Sequence, residues 1–433
     1  MKREKLSKDF IINMSKKKNE PEWMLSFRLK SYDAFLSLDN PNFGPDIDID
    51  FDSICYYKSN SSASTDNWEK VDNGIKDEFK KLGVIDAERK YLDGVNNQFE
   101  SEVVYHKLNT EKDGVIFLST DDALKMYPDL FMKYFNTLVK YDENKYTALN
   151  GALWSGGSFI YIPKNTKLDR PLQSYFRINS ESLGQFERTI IIVDDYADLS
   201  YIEGCTALSY SSTSLHAGVV EIFVGKNAKC RYSTIQNWSK DVYNLVTKRS
   251  IVDENGTMEW VDGNVGSKVT MKYPSCILKG DYSRASSISI AYAKSGQVID
   301  AGAKMIHIGK NTKSNIISKS VAIDGGKSNY RGTSRICKSA INSVANVKCD
   351  TIILDEISKS DTYPKNIVEN SFSILEHEAS VSKVNEEKLR YLESKGLSEN
   401  AAKELIIMGF IGDFKKELPM EYAVELNRLI KEL

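Results

Sequence analysis

FIYIPKNTK at 159–167, VEIFVGKNAK at 220–229 and KMIHIGKNTK at 304–313 are three versions of one phrase. Each is an apolar run, then Pro or Gly, then Lys-Asn-Thr/Ala-Lys. The run reads as a strand. Gly or Pro sets a turn and Asn tolerates left-handed backbone, so the chain turns a corner and starts the next strand. The surrounding sequence from 151 to 384 has the same texture. RTIIIVDD (188–195), NIISKSVAIDGG (315–326) and DTIILDE (350–356) are rich in Val, Ile, Thr and Ser, are punctuated by Gly, Asn and Asp, and are not interrupted by a helical pattern. Recurring strand–corner–strand units predict a β-solenoid, in which each coil buries its face against its neighbours. The phrases are unequally spaced, so the coils are irregular. A β-sandwich is the competing architecture from pattern alone.

The flanks read differently. In residues 1–150 the pattern is mixed and partly helical. PEWMLSFRLKSYDAFLSL (21–38) puts Leu25, Leu29, Tyr32 and Leu36 at helical spacing. STDDALKMYPDLFMKYF (119–135) opens on the helix-start residues Ser119 and Thr120, with Pro128 interrupting or opening a second helix. Between them FGPDIDIDFDSICYY (43–57) places Asp46, Asp48, Asp50 and Asp52 on one face of an extended segment, without the glycine and glutamate of a calcium loop. ALWSGGSFIY (152–161) supplies Gly156 and Gly157 as a turn into the β region. Residues 385–433 turn helical again, with Asn385 and Ser398 as caps and Pro419 at a first-turn position. The predicted organisation is therefore 1–150, 151–384 and 385–433.

Composition narrows the function. With 433 residues, 41% hydrophobic and 27% charged, the chain has material for a sizeable core. A net charge of −2 does not favour a nucleic-acid partner. No apolar run approaches the ~20 residues of a membrane span. The basic N-terminus lacks the apolar stretch of a secretory signal. The six cysteines, Cys55, Cys205, Cys230, Cys276, Cys337 and Cys349, form no C-x-x-C pair. That argues against a zinc ribbon, a thioredoxin motif or a ferredoxin ligand run, and for separate reduced thiols. DGGKSNY (324–330) resembles the end of a P-loop, but the earlier glycine falls on Val321. No nucleophile elbow or zincin helix is present.

One stretch stands out. FSILEHEASVSKV (372–384) holds one of only four histidines in the chain, His377, between two glutamates. Read as a strand, Glu376 and Glu378 share one face while Leu375, His377 and Ala379 share the other. Taken alone it is an ordinary strand edge guarded by charge.

Taken together, EPEWMLSFRLKSYDAF, ALWSGGSFIYIPKNTKLDRPLQSYFRINSESLGQFERT, YIEGCTA, LHAGVVEI, YSTIQNW, VTKRSI, KYPSCILKGD, KMIHIGKNTKSNIISK, CDTIILDE, LEHEA and ELPMEYAVEL resemble the SufB/SufD family of the SUF iron–sulfur cluster assembly system, on the SufB side of it. The pieces occur in family order over nearly the whole chain. The resemblance implies a mainly β protein with a right-handed β-helix core and helical N- and C-terminal regions. It implies a non-catalytic scaffold for cluster assembly and transfer to apoproteins, with a SufD-like structural paralogue as the alternative. Partners would be a SufC-type ATPase docked on the C-terminal helices, SufD or a second SufB, and a cysteine desulfurase with or without a sulfur-relay protein. The cargo would be a transient [4Fe–4S] cluster, and a reduced flavin is associated with the family. The compartment would be the cytoplasm, or a plastid or related organelle that encodes its own copy.

By the same resemblance Cys349 is the core cysteine, able to accept persulfide sulfur or bind iron. Glu376, His377 and Glu378 match the cluster-site residues, and carboxylate with imidazole suits ferrous iron. Cys205 matches the sulfur entry point, although Leu208 stands where the family often has proline. Arg177, Asn179, Gln236, Trp238 and Lys248 match polar residues lining the route between the two cysteines. The other four cysteines read as core packing.

Overall fold

The computed structural model describes residues 4–59, 64–110, 112–208, 212–384 and 386–417. The Asn385 cap and the helix expected from Pro419 lie outside them.

From Arg284 onward the chain alternates between two sheets. Arg284–Ala293, Lys313–Ala322, Val344–Ile353 and Ile374–Lys383 belong to a ten-stranded sheet, and Val298–His307, Lys327–Ile336 and Thr362–Val368 to a twelve-stranded one. Each strand pairs in parallel with its equivalent one coil away, in unbroken register from Lys313 opposite Val344 to Ala322 opposite Ile353. This is a β-solenoid; a sandwich would require antiparallel neighbours. Register partners lie 27 residues apart at Thr257 and Arg284 and 31 apart at Lys313 and Val344, so the coils are unequal.

The corners use the residues the repeated phrase supplies. Asn165, Asn227 and Asn311 sit in the left-handed region with φ of 62°, 53° and 57°. Tyr196, Asn255 and Tyr282 do the same in the intervening coils. Each of the six donates its backbone N–H to a carbonyl of the next coil (Asp195, Lys226, Glu254, Asp281, Lys310 or Ile341) at 2.8–3.0 Å. The corner is therefore a hydrogen-bonded ladder, and buried backbone groups are satisfied coil by coil.

The zone before residue 150 also contributes to the solenoid. Gly94–Phe99 and Glu102–Leu108 form an antiparallel pair, and the first of them pairs in parallel with Leu172–Ile178, starting the ten-stranded sheet. GVNNQF shows no alternation because both of its faces are buried. The expected helices form at Glu22–Ser37, Thr120–Met126 and Pro128–Tyr134, the second capped by Ser119 and the third with proline in its first turn. The Asp46–Asp52 segment pairs with no strand and ends in a short 3-10 turn, Phe51–Ser53, capped by Asp50. Gly157, at φ 90°, turns the chain into the first core strand. A Cβ there would lie 2.2 Å from the Arg188 carbonyl oxygen.

Helices cover both outer faces. The helix Lys145–Leu153 and the N-terminal helices pack with Tyr243, Leu245 and Met271 of the twelve-stranded sheet. Phe79, from the helix Asn73–Lys81, joins Ile202, Ile235 and Val261 of the ten-stranded sheet. Ile407, Ile411 and Phe414 join the same cluster, and Lys319 donates to the Phe410 carbonyl at 2.6 Å. The described part of the C-terminal region thus packs back on the solenoid. Among the described residues no helix is long and apolar enough to cross a membrane. At the far end both sheets stop on bare strands, Thr362–Val368 and Ile374–Lys383. Phe372, Ile374 and Val381 there are 69%, 56% and 53% exposed.

The N-terminal layer carries a pH-dependent clamp. Glu20 accepts from Arg28 Nε at 2.7 Å, and Arg28 also donates to the Ala152 and Trp154 carbonyls. Burial raises the Glu20 carboxyl, but Arg28 and Lys18 outweigh it and hold the group at about 2, against an ordinary 4.5. A depressed folded-state value contributes stability that is fully present above the ordinary value and is lost as pH falls through the folded one. Acid titration of the wild type should lose about 3 kcal/mol between these limits through this group. Glu20→Gln should flatten that limb in an acid-unfolding curve, and an unchanged limb would contradict the assignment.

Candidate functional site

Side-chain alternation decides what faces the interior between the two sheets. On Asp198–Ala207, Leu199 and Tyr201 point inward, so Glu203 and Cys205 do too, while Ile202 points outward. The parallel register then stacks equivalent residues from coil to coil. Glu203 lies opposite Thr234, Thr234 opposite Asp262, Asp262 opposite Ser289, Ser289 opposite Ser318 and Ser318 opposite Cys349. Beside it runs a second column, Cys205, Gln236, Asn264, Ala291, Ser320 and Thr351. Two neighbouring columns, polar at nearly every step, therefore connect the coil of Cys205 to the coil of Cys349. Five inter-strand steps make the span roughly 24 Å.

The Cys205 end is charged. Glu203 accepts from the Lys248 ammonium at 3.2 Å and from the Tyr232 hydroxyl, and Cys205 Sγ lies 3.9 Å from its carboxylate. Lys272 pairs with Asp262 at 2.9 Å and also donates to Gln236, which in turn accepts from Asn244. All of these side chains are buried. Burial first, then Glu203 and Glu187, push the Cys205 thiol well up, while Lys248 and Lys272 pull it down. Trp238 lies with its ring 4.6 Å from that of His216, which pairs with Glu187 at 2.7 Å.

The other end is quieter. Cys349 is buried beside Tyr330, and burial pushes its thiol up to about 12, with Tyr330 pulling the other way. Its Sγ lies 3.8 Å from His377 Nε2 across the last coil, and Asn366 holds His377 Nδ1 at 3.0 Å. Burial lowers the His377 imidazole, and with Nδ1 accepting from the Asn366 amide the neutral ring turns its Nε2–H toward the sulfur. Among the described residues, the strands of the last coil are largely exposed.

The predicted residues thus fall into three groups. Cys349 and His377 come together, and Cys205, Gln236, Trp238 and Lys248 face the interior. Glu376 and Glu378 point outward on the opposite face of their strand, where Glu378 meets Lys348 at 3.5 Å. Among the described residues no three His, Cys, Asp or Glu side chains are gathered closely enough to hold a metal ion. Arg177 also leaves the interior. It alternates with Phe176 and Ile178, so it faces outward and bonds Thr206 and Glu78 at 3.0 and 2.9 Å. Asn179 follows the strand, and its backbone N–H donates to Glu100. Of the cysteines read as packing, Cys230 and Cys276 are fully buried, whereas Cys55 and Cys337 are half-buried.

Sequence reasoning missed Glu203, Thr234, Asp262, Ser289 and Ser318. Their signal is a polar residue at an inward position of an otherwise apolar strand, repeated at the coil period. Only the register makes it visible.

Stacked parallel coils with a polar track between two buried thiols define a β-solenoid built around its interior. The profile of the SUF system FeS cluster assembly SufBD core domain matches residues 176–410, and that of the SufBD protein N-terminal region matches residues 77–174. The chain is 57% identical to an iron–sulfur cluster assembly SufBD family protein of Staphylococcus saprophyticus, over 98% of this chain and 92% of that one. Similar proteins of the same description from Staphylococcus epidermidis and Staphylococcus aureus are 56% and 57% identical over the same shares. The chain belongs to the SufBD family, and iron–sulfur cluster assembly is the process it serves.

Proposed function

We propose that this chain is the SufB-type member of the family, a non-catalytic scaffold on which an iron–sulfur cluster is built and from which it is passed to apoproteins. The observation that carries the reading is the pair of interior columns joining Cys205 to Cys349. Sulfur enters as persulfide at Cys205, where Lys248 and Lys272 offset part of the cost that burial and Glu203 place on an anion. The columns hold no thiol between the two cysteines, so a small-molecule thiol would carry the sulfur along them. Its thiolate attacks the outer sulfur of the Cys205 persulfide and Cys205 leaves as thiolate. The Cys349 thiolate then attacks the small persulfide, and the carrier leaves as thiolate. At Cys349 the His377 Nε2–H faces the sulfur and donates to its anionic form; for the ring to bind iron, the proton moves to Nδ1 with the Asn366 amide turned to accept it. Iron then meets thiolate sulfur and imidazole nitrogen there, a sparse ligand set suited to a cargo that must leave, such as a transient [4Fe–4S] cluster.

The remaining ligands would come from the partner that covers the open last coil, either SufD or a second copy of this chain. ATP hydrolysis would occur on a SufC-type ATPase held by the C-terminal helices. A cysteine desulfurase, with or without a relay protein, would supply sulfur, and a reduced flavin the electrons. The compartment would be cytoplasmic. The test is anaerobic reconstitution of the chain with its ATPase, iron, cysteine and a desulfurase, followed by visible absorption and Mössbauer spectra. Wild type should form a labile cluster that transfers to apo-ferredoxin. His377→Ala should lose it, while Glu376→Ala and Glu378→Ala retain it. A wild type that never forms a transferable cluster would sink the scaffold reading and favour a SufD-like structural role.

A further inference from the structure

The outer face of the twelve-stranded sheet, remote from the thiol columns, carries a second arrangement. Arg249 lies opposite Ser275, Ser275 opposite Lys304, Lys304 opposite Thr333 and Thr333 opposite Lys365. Cations and hydroxyls therefore alternate along one cross-strand column, with successive cations two strands, roughly 10 Å, apart. Cross-strand columns normally interleave opposite charges, because like charges repel. Here no carboxylate stands between the cations. Arg249 pairs sideways with Glu143, but Lys304 and Lys365 carry no ion pair among the described residues. The Ser275 hydroxyl is buried without a hydrogen-bond partner, an orphan that calls for an explanation. Burial lowers the Lys304 ammonium, and Arg249, Lys365 and Arg335 lower it further against Glu143.

This column is the floor of a cleft of about 830 Å³, a size typical of small-molecule sites. Its walls are aromatic. Arg331, held by Asp300 at 2.8 Å, lies 3.8 Å from the Tyr363 ring centroid and 5.8 Å from that of Phe43. Phe43 also meets Tyr273 at 5.9 Å, and beyond it the cleft continues into a second lobe of about 510 Å³ lined by Leu38, Leu245 and Met271. The first lobe carries the cations and hydroxyls, the second sets Asp39, Asn40 and Glu143 beside its apolar residues, and the aromatic rings stand between them.

We propose that this cleft binds a nucleotide, its phosphate held by cations of the Arg249–Lys304–Lys365 column and its planar ring against Phe43 and Tyr273. Lysine ammonium groups and the Ser275 and Thr333 hydroxyls are donors to phosphate oxygen. The exposed Phe43 ring offers a stacking face. The inference is independent of the cluster reading, because binding is measured on the full chain alone, without iron, sulfide or ATPase.

The experiment is calorimetric titration of the purified chain with ADP, FMN and pyrophosphate, at low and high salt. ADP or FMN should saturate one site per chain and bind at least about 10-fold more tightly than pyrophosphate, the gain one stacked ring supplies. Whichever ring ligand is tighter identifies the source as adenine or flavin nucleotide. Added salt should weaken binding. Lys304→Glu with Lys365→Glu should weaken it at least about 10-fold, since it reverses two charges facing the phosphates. Lys80→Glu, on the helix Asn73–Lys81 over the opposite sheet, should leave it unchanged, and all variants should keep the wild-type melting temperature. The proposal is overturned if none of the three ligands saturates, if pyrophosphate matches the ring ligands, or if the folded double variant binds like wild type.

Discussion

Replacing Cys349 by serine is expected to bring cluster formation in the anaerobic reconstitution down to the level seen without the chain, while folding is unchanged. Serine fills almost the same volume, so the buried position beside Tyr330 and His377 is kept. What is lost is the sulfur atom that alone can accept persulfide sulfur and bind iron. The variant also separates arrival from passage. With sulfur-labelled cysteine and a desulfurase, label should stay on Cys205 in Cys349→Ser, and neither position should carry label in Cys205→Ser. The two cysteines are joined through Glu203, Thr234, Asp262, Ser289 and Ser318 by register alone, so this asymmetry tests direction as well as chemistry. Label reaching Cys349 in the Cys205→Ser chain would show that sulfur enters at the open end, and the column would then be structural.

The second large effect lies far from the thiols and concerns stability. Arg188 is completely buried, pairs with Glu221 at 2.8 Å and donates to the Val139 carbonyl and Asn150. Glu221, equally buried, accepts the backbone N–H groups of Asn136, Leu138 and Val139 at 2.8–3.1 Å. This pair sews the segment after the helix Pro128–Tyr134 to the sheet. Arg188→Met should cost about 3–5 kcal/mol, because it leaves a buried carboxylate without its counter-charge. Adding Glu221→Gln should recover part of the loss, since the amide still accepts from the backbone without carrying charge. Urea unfolding measures both. A loss below about 1 kcal/mol for Arg188→Met would mean that the three backbone donors suffice.

The core architecture was readable because its corners are written in residue type. Asn165, Asn227 and Asn311 announce left-handed backbone, and all three adopt it. Ser119, Pro128 and Ser398 likewise start helices where capping chemistry requires. Gly94–Phe99 escaped detection for the opposite reason. Covered on both faces, it has no alternation to read. At the site, alternation placed His377 on one face and the two glutamates on the other, and the structure keeps that division. It gave no access to Arg177, whose direction depends on which neighbours on its strand are core. Nor did it reveal the interior columns, since a serine such as Ser289 becomes meaningful only when Ser318 and Cys349 are stacked on it.

The bare last coil has a thermodynamic consequence. A solenoid behaves as a one-dimensional chain of nearest-neighbour couplings, in which an inner unit is held from both sides and an end unit from one. Local opening free energy is therefore lowest at Thr362–Val368 and Ile374–Lys383, and His377 stands on that rung while Cys349 stands on the one beneath. On the proposed reading, the half of the pair most easily withdrawn sits on the rung that frays first. Any body that docks on this end adds the missing coupling and closes the rung, and its departure restores the fraying. Holding and releasing a cargo would then be two occupancies of a single edge.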